Sequence, residues 1–563
     1  MSYGETPPGL SSQIMNLAKL LTRRATLRVP RYQRPYTWTE REVRALIQDL
    51  WRAYKRGATF YFVGQVVLVK NNRNELEIGD GQQRTTTLTM ILAYVRDRIP
   101  ARAQHYQGLI VNSEIGGKPR LMLRVADSSF FWGYVQEPNN MAKMARLEET
   151  GVDSRDLMCA AAATIESELA RVKENSELDA FMSFVVRCAT FNVVEADERG
   201  AAAGIYNAMN NTGQDLSAAD NIKGDLLENS NLSDQEAEAA ALKWEELEIS
   251  LGREDFAMLI NMMPFLLTGA PLISPGDLGA FRDQVEAKGG VRGFLFDRLP
   301  RYGEALRDVL RAEVKLGAAS DDVNRRIRIL LQLGEDRWLP AALVYIAEHG
   351  AAPTEQTLKF FQALERFTFG CELAIIDNTV REDRFALAMK NAGSEKVYTY
   401  IKGAQTQGAL VLSKAERLGF IERLNRSSKS DRLRKMLLIR IEATLPGGSV
   451  LPRRSDITVE HVLPTGTAPW WHERFPDRVM RADYANLLGN LVLITRKQNV
   501  RADNKPYPDK MKIYFQSGAT VHAITRDIEE VRDWSAHAIE TRHERLVHLL
   551  CLDWDIDPGE DEN

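Results

Sequence analysis

The 563-residue sequence contains few cysteines, no long apolar run and no excess of positive charge. The four cysteines lie far apart and none forms a CxxC pair, which excludes a zinc ribbon and a disulfide framework. The first residues lack the basic and apolar regions of a secretory signal, and no apolar run approaches the roughly 18 residues of a membrane helix. We therefore expect a cytoplasmic protein without a membrane partner. Because the net charge is only -4, a nucleic-acid partner has to be met by a local cationic patch.

Four stretches are dense in lysine and arginine, at residues 23–34, 429–440, 453–454 and 496–512. Any one of them alone is most simply a solvated surface. The last stretch differs, because it overlaps the segment in which chemically reactive side chains are concentrated.

That segment places an imidazole, a carboxylate, two amides and several lysines in a fixed order. Neutral His461 is suited to take a proton from water, and Asn490 to orient the imidazole through a hydrogen bond. Glu460 and the side-chain oxygen of Asn499 are ligands that a hard cation such as Mg²⁺ or Mn²⁺ accepts. The cation neutralises charge at a scissile phosphate, and Lys510 adds positive charge beside it. The set predicts metal-assisted hydrolysis of a phosphodiester.

The local pattern predicts a strand at 457–462, a second strand at 491–495, a helix that begins near 508, and a long closing helix at 521–552. A lone histidine at a strand end is more often an ordinary buried residue, but the whole ordered set favours a catalytic interpretation. Glu460 is the weaker member, because neighbours on a strand face opposite ways. It reaches a metal only if the strand ends there.

A second concentration of polar and aromatic residues follows position 28, where the sequence reads VPRYQRPYTW. Two prolines keep this segment extended, and a helix is predicted after it, with Thr39 and Glu42 in capping-box positions. Aromatic rings are suited to stack on a base, and arginines to hold phosphate. The candidate residues for sensing DNA or its modification are Arg31, Tyr32, Gln33, Arg34 and Trp38. The same residues also suit a nucleotide pocket, and the sequence does not separate the two.

Further along, a predicted strand at 75–78 runs into GDGQQRTTT, and a helix is predicted to continue to about residue 99. Glycine lets the backbone approach a ligand closely, and a helix N-terminus offers free N–H groups to a phosphate. The candidate nucleotide-binding residues are Asp80, Gly81, Gln82, Gln83, Arg84 and Thr86. The Walker pattern GxxxxGK[ST] is absent, so this is not a P-loop. A structural turn before a capped helix explains the glycines and threonines, but not the glutamines and the arginine together.

These two blocks, with YFVGQVVL between them, resemble the N-terminal module known as DUF262. Gly79 stands where that family usually has isoleucine, and Thr85 where it usually has leucine. A third block at 206–223 also resembles the family, although Asn221 replaces its usual leucine. The resemblance adds Asn210, Gly213 and Lys223 to the candidate nucleotide-binding residues.

The C-terminal segment resembles the HNH (ββα-metal) nucleases, in the branch known as DUF1524. The matching residues are EHVLP at 460–464, GNL at 489–491 and Asn499, followed by NKPY at 504–507. Together the two ends resemble the GmrSD family of modification-dependent (type IV) restriction enzymes and the phosphorothioate-sensing SspE nucleases of phage defence. The resemblance implies an NTP-dependent DNA endonuclease that uses Mg²⁺ or Mn²⁺ for cutting and GTP or ATP in a ParB/sulfiredoxin-like module.

We therefore predict a mostly helical α+β chain. The predicted domains are a ParB-like NTP-binding and sensor domain at 1–230, a helical linker at 231–445, an HNH nuclease with a C-terminal helix at 446–554, and a disordered acidic tail at 555–563. The predicted partners are modified phage or plasmid DNA and a nucleoside triphosphate, and a homodimer is a further candidate. Two alternatives stay open: an NTP-switched DNA-binding regulator with an inactive nuclease end, and an RNA-directed HNH nuclease.

Overall fold

The computed structural model describes residues 10–31, 33–70, 75–113, 116–196, 218–228, 230–269, 278–399, 408–426, 430–448, 456–466 and 468–557. Most of these residues lie in helices, and the strands form small sheets. The predicted class, a mostly helical α+β chain, is confirmed. Within the described ranges, no helix is both long and apolar enough to cross a membrane.

The chain folds as two compact units. The first consists of Met1–Met263 and Leu272–Gly303, and the second of Pro264–Pro271 and Glu304–Asn563. The predicted domain limits at 230 and 445 divide the chain more finely than this, and they stay predictions.

The strands, numbered in chain order, are β1 (Leu10–Asn16), β2 (Leu27–Arg28), β3 (Tyr61–Lys70), β4 (Leu76–Asp80), β5 (Val111–Asn112), β6 (Lys118–Pro119), β7 (Leu121–Met122), β8 (Ala189–Ala196), β9 (Ile457–His461) and β10 (Leu491–Thr495). The first unit contains a six-stranded sheet in the order β1-β8-β3-β4-β2-β7, and β5 pairs with β6. In the second unit β9 pairs with β10.

The helices are also numbered in chain order. The first fourteen are α1 (Leu17–Leu21), α2 (Glu40–Lys55), α3 (Gln82–Arg98), α4 (Ala103–Ile110), α5 (Val125–Phe131), α6 (Met141–Met144), α7 (Asp153–Leu169), α8 (Asn175–Cys188), α9 (Ala218–Glu228), α10 (Asp234–Leu251), α11 (Arg253–Thr268), α12 (Leu278–Ala287), α13 (Gly290–Gly293) and α14 (Leu299–Arg311). The others are α15 (Ser320–Leu330), α16 (Leu339–His349), α17 (Thr354–Leu373), α18 (Asn378–Lys390), α19 (Lys414–Asn425), α20 (Asp431–Glu442), α21 (Pro469–Arg474), α22 (Arg478–Ala485), α23 (Arg496–Ala502), α24 (Tyr507–Tyr514), α25 (Ala523–Arg526) and α26 (Ala536–Asp553).

The alternation of side chains along a strand sorts the sheet of the first unit into two faces. On β3, Val66 and Leu68 belong to the large core cluster, whereas Val67 and Val69 belong to a smaller cluster of their own. Strand β3 runs antiparallel to β4, and Asp80 at the end of β4 lies opposite Val67. This register places the glycine turn that follows β4 against the middle of β3.

Helix α2 begins where the capping-box pattern predicts. The Thr39 side chain accepts from the backbone at the start of the helix, and the Thr39 backbone N–H donates to Glu42 Oε2 at 2.9 Å. Such a cap stabilises a helix by about 0.5–2 kcal/mol. The apolar side of the helix is buried at Val43, Ile47 and Leu50. The cap and the buried apolar side together hold the start of α2 directly after the segment that the two prolines keep extended.

In the second unit, β9 and β10 are antiparallel, and Leu491 lies opposite His461. Both strands are confirmed, as is the helix that the sequence predicts near residue 508, which is α24. The structure adds α23 directly after β10. This helix also starts at a capping box, formed by Thr495 and Gln498.

The single helix predicted at 521–552 is wrong, because the structure has α25 and α26 in its place. The chain between them places the ring of Trp534 in the core of the C-terminal strands and helices, where it is fully buried. Its Nε1 donates to Asn490 Oδ1 at 2.9 Å. Burial of this large ring together with its hydrogen bond favours the break over a continuous helix.

Candidate functional site

The C-terminal candidate site is built on the β9–β10 pair and on helix α23. Strand β9 ends at His461, β10 leads directly into α23, and α23 contacts both strands. The order strand–strand–helix therefore brings the predicted residues of this segment onto neighbouring elements.

His461 is half-buried, and its Nε2 atom lies 3.3 Å from Oδ1 of Asn486. Burial lowers the pKa of the imidazole below its ordinary value of 6.5, because it penalises the charged form, and the Arg434 guanidinium lowers the pKa further. The ring is therefore neutral at pH 7. This is the protonation state in which an imidazole accepts a proton as a general base.

The structure corrects the predicted role of Asn490. Its side chain is fully buried, and its Oδ1 accepts from Leu463 N at 2.7 Å and from Trp534 Nε1 at 2.9 Å. Its Nδ2 donates to the carbonyls of Leu463 and Ala485 at 2.9 and 2.8 Å. These four bonds satisfy the whole amide. Asn490 therefore fixes the chain that follows His461, and the residue that contacts the imidazole is Asn486.

Glu460 faces the interior, on the side opposite His461. Its Oε1 accepts from Lys510 Nζ at 2.6 Å and from the Tyr514 hydroxyl at 2.7 Å, and Lys510 also donates to the backbone carbonyl of His461 at 2.8 Å. Burial raises the pKa of Glu460 and lowers that of Lys510, so each group depends on the other to keep its charge. The arrangement corrects two predictions: Glu460 does not present a metal ligand, and Lys510 holds the strand end in place.

Asn499 lies on α23 and is half-buried. Its Nδ2 donates to Thr458 Oγ1 at 2.5 Å and to the carbonyl of Val459 at 3.2 Å, which ties the helix to β9. The oxygen of this amide stays outside those bonds. Glu460 and Asn499 are thus not brought together as a ligand pair, and among the described residues no group of three or more His, Cys, Asp or Glu side chains is arranged to hold a metal ion.

Three residues of this site were missed by sequence reasoning. Asn486 contacts the imidazole, Arg434 on α20 lowers the pKa of that ring, and Tyr514 bonds to Glu460. Tyr514 had a sequence signal, because it lies one helical turn beyond Lys510 on the same face. Arg434 lies in the cationic stretch 429–440, but nothing in the sequence linked this stretch to His461, and Asn486 had no sequence signal.

In the first unit, Gly81 forms the turn between β4 and α3 with φ of +92°. A Cβ atom there would lie 2.8 Å from Val66 Cγ2 and 3.0 Å from the carbonyl oxygen of Gln65. Only glycine fits both the conformation and the contact. The turn therefore lets α3 begin directly against β3, as the sequence predicts.

The glutamines of this block bind the extended segment. Gln82 Nε2 donates to the Arg34 carbonyl at 3.0 Å, and Gln83 Nε2 donates to the Pro35 carbonyl at 3.0 Å. Gln83 Oε1 accepts from the backbone of Thr37 at 2.9 Å. The prediction that Gln82 and Gln83 bind a nucleotide is therefore corrected, because their side-chain amides bond to backbone groups of the extended segment.

The other predicted residues of the two blocks fall into two groups. Gln33, from the predicted sensor set, is buried and donates to the Gly79 carbonyl at 2.7 Å, and Thr86 is buried at the start of α3. The half-buried residues are Arg31, Arg34, Trp38, Asp80 and Arg84. The Arg84 Nη1 atom donates to the Gln65 carbonyl at 3.0 Å, so its guanidinium lies across β3. Tyr32, Asn210 and Gly213 lie outside the described residues.

Lys223 is buried and paired. Its Nζ lies 3.0 Å from Glu245 Oε1, and Arg124 lies 3.4 Å from the same oxygen. Burial lowers the pKa of Lys223. The structure thus gives Lys223 a carboxylate partner in place of the predicted nucleotide.

Two cavities adjoin the extended segment. One of about 10 Å³ lies between Arg34, Gln82 and Gln83, and it holds at most one water molecule. The other, of about 490 Å³, has the size of a small-molecule site. Its lining includes Tyr36 and Arg124 and the carboxylates of Asp153, Asp156, Glu248 and Glu254. This lining does not favour a triphosphate.

Comparison with known protein families gives a match at each end of the chain. Residues 17–227 match the family described as the GmrSD restriction endonuclease, N-terminal domain, and residues 414–549 match the GmrSD restriction endonucleases, C-terminal domain. A search of curated proteins finds no match.

Proposed function

Because the chain belongs to the family of GmrSD restriction endonucleases, we propose that it cuts modified phage or plasmid DNA, with His461 as the general base, under the control of a nucleoside triphosphate. The observation that supports the cutting site best is the position of His461. It is a half-buried, neutral imidazole at a strand end, its ring contacts Asn486, and the buried Lys510 donates to its backbone carbonyl.

The proposed reaction is hydrolysis of a phosphodiester. The lone pair of the His461 ring takes a proton from water, the water oxygen forms a bond to phosphorus, and the bond between phosphorus and one ester oxygen breaks. The leaving oxygen takes a proton from solvent, and the imidazolium returns its proton to water. Proton transfer of this kind contributes about 10²–10⁴-fold to a rate.

The DNA backbone needs cationic groups near this site. Of the basic residues in the stretch 496–512, all but Lys510 are exposed: Arg496, Lys497, Arg501, Lys505 and Lys512. Exposed lysine and arginine side chains are the groups that bind phosphate without reading sequence. This local patch supplies what the net charge of -4 does not.

A divalent cation stays part of the proposal. Mg²⁺ and Mn²⁺ prefer oxygen ligands and keep several waters, and phosphate supplies others. The amide oxygen of Asn499 is the proposed protein ligand, and its availability supports this choice over Glu460, which bonds to Lys510 and Tyr514. When bound, such a cation neutralises negative charge at the scissile phosphate.

The proposed nucleotide site, for GTP or ATP, is the turn at Gly81 with the start of α3. The free N–H groups of the first helical turn suit a phosphate, and Arg84, Asp80 and Arg34 are the neighbouring charged groups. The extended segment that carries Arg31, Arg34 and Trp38 is the proposed sensor of DNA modification, phosphorothioate included. Bonds from Gln82 and Gln83 couple these two elements, so occupancy of one is expected to affect the other.

The decisive experiment incubates the full chain with plasmids that carry defined modifications, with Mg²⁺, and with GTP, ATP or neither. We expect one class of modified plasmid to be cut in the presence of one nucleotide, and EDTA to abolish cutting. The variant His461→Ala is the inactive control. Binding of modified DNA without any cleavage by the parent protein would favour an NTP-switched regulator, and cleavage of RNA alone would favour an RNA-directed nuclease.

A further inference from the structure

We infer that Asn486 and Arg434 fix the tautomer of His461, so that Nε2 carries the proton and Nδ1 is the nitrogen that takes a proton from water. This inference rests on the proposed function of His461. It concerns two positioning residues on two other elements of the second unit.

The orientation of the Asn486 amide follows from its neighbours. Its Oδ1 accepts from Arg434 Nη1 at 2.5 Å, and its Nδ2 donates to the Ala482 carbonyl at 3.3 Å. Turning the amide over would point an N–H at a guanidinium, which has only donors, and an oxygen at a carbonyl. Two contacts on opposite ends therefore fix which atom of Asn486 faces the ring.

The ring nitrogen then has a defined partner. The Oδ1 atom of Asn486 can only accept, and it lies 3.3 Å from His461 Nε2. The nitrogen must therefore donate. A neutral imidazole has a single N–H, so its lone pair is on Nδ1. The contact determines both the rotation of the ring and the atom that acts on water.

Arg434 is itself held in place. It lies on α20 with a buried side chain, and it forms an ion pair with Asp431 on the same helix. A charged arginine keeps a donor directed at Asn486 at every pH at which the protein is folded. The three residues come from α20, the end of β9 and the position after α22, so the fold alone brings them together.

Two substitutions of Asn486 separate the two halves of its amide. Asn486→Asp keeps an oxygen for His461 and for Arg434 but loses the donor to Ala482, whereas Asn486→Ala loses both. We expect Asn486→Ala to lower the single-turnover cutting rate by about 10²-fold, the cost of a misplaced catalytic group. We expect Asn486→Asp to stay within about threefold of the parent protein, a small change on that scale. If the contact with Ala482 is what matters, the two variants will be equally impaired, and the inference fails.

A second measurement determines which ring nitrogen of His461 carries the proton, and it does not depend on cutting activity. Protein with ¹⁵N-labelled histidine is examined by NMR at pH 8, and the His461 signals are assigned from their loss in His461→Gln. We expect a protonated Nε2 and an unprotonated Nδ1 in the parent and in Asn486→Asp, and a loss of the slowly exchanging ring N–H in Asn486→Ala. A protonated Nδ1 in the parent protein would overturn the inference.

The two measurements also separate this inference from the proposed function. If His461→Ala still cuts DNA at the parent rate, His461 is not the base, and the proposed function fails whatever the NMR spectra show. If His461→Ala is inactive but Asn486→Ala cuts normally, His461 is the base and the positioning role of Asn486 is wrong.

Discussion

The two polar motifs of this chain look alike in sequence and differ in what their residues do. In the C-terminal motif, Glu460, Asn490 and Lys510 turn inward and form a scaffold, and His461, the proposed general base, lies half-buried beside it. In the N-terminal motif, Gln82 and Gln83 also turn inward, but they hold another stretch of backbone. Density of polar residues therefore marks where the backbone needs support, and it does not by itself mark the groups that touch a ligand.

The largest effect on stability is expected where that scaffold is charged. Lys510→Met leaves Glu460 buried without its cation, and removal of one partner of a buried ion pair costs about 3–5 kcal/mol. Lys512→Met is the matched control, because Lys512 pairs with Asp509 at the surface and such a pair is worth about 0–1 kcal/mol. Urea unfolding of the second unit measures both. Equal losses would show that the Glu460–Lys510 pair is not a scaffold.

The N-terminal turn is expected to show a smaller loss. Gly81→Ala combines a left-handed backbone with a contact of 2.8 Å to Val66, and we expect it to destabilise the first unit by about 2–4 kcal/mol. Gly57→Ala is the control, since Gly57 also has positive φ, at +67°, but open space around it, and about 1 kcal/mol is expected. The difference in unfolding free energy isolates the contact with β3. Equal losses of unfolding free energy in the two variants would show that the contact with β3 does not determine where α3 begins.

Substitutions of the glutamines and of the arginine in the N-terminal motif are expected to affect different properties. The glutamines affect stability, and the arginine affects nucleotide affinity. Gln83→Leu removes the bonds to Pro35 and Thr37 and should cost about 1–3 kcal/mol of unfolding free energy. Arg84→Met should lower the affinity for GTP or ATP by about tenfold, or about 1.4 kcal/mol. Calorimetric titration measures the second effect and thermal unfolding the first. A Gln83 variant that folds normally but does not bind nucleotide would show that the glutamines are nucleotide ligands, as the sequence predicts.

The smallest expected effect is on the pH dependence of cutting. Burial and the Arg434 charge place the pKa of His461 below 6.5, so more than half of the rings are neutral at pH 6.5. The cutting rate at pH 6.5 should therefore exceed half of its plateau value and fall only at lower pH. Single-turnover rates between pH 5.5 and 8 measure this. A half-maximal rate at or above pH 6.5 would contradict the environment described for the ring.

Much of the fold was predictable from sequence, because its elements start at recognisable signals. The capping box at Thr39 and the glycine turn at Gly81 lie where the pattern places them. The strands predicted at 457–462 and 75–78 are present with slightly different ends, as Ile457–His461 and Leu76–Asp80. The break near Trp534 was not predictable, since it depends on a hydrogen bond to Asn490, a residue on a distant element.

The sequence predicts His461 as the central residue of the candidate site, but it did not predict the side chains that surround this histidine. The strand alternation already made Glu460 doubtful as a metal ligand, and its inward orientation agrees with that argument. Which amide faces the ring depends on tertiary contacts, since Asn486 and Asn490 lie four residues apart and only the first reaches His461. The periodicity of the sequence therefore does not distinguish Asn486 from Asn490.

The most direct test of the central claim compares two histidines of the second unit. Single-turnover cutting of a modified plasmid is measured for His461→Ala and for His548→Ala, which removes an exposed histidine of α26. We predict a loss of about 10²–10⁴-fold or more for the first variant and no change for the second. Parent-like cutting by a folded His461→Ala protein would contradict the account.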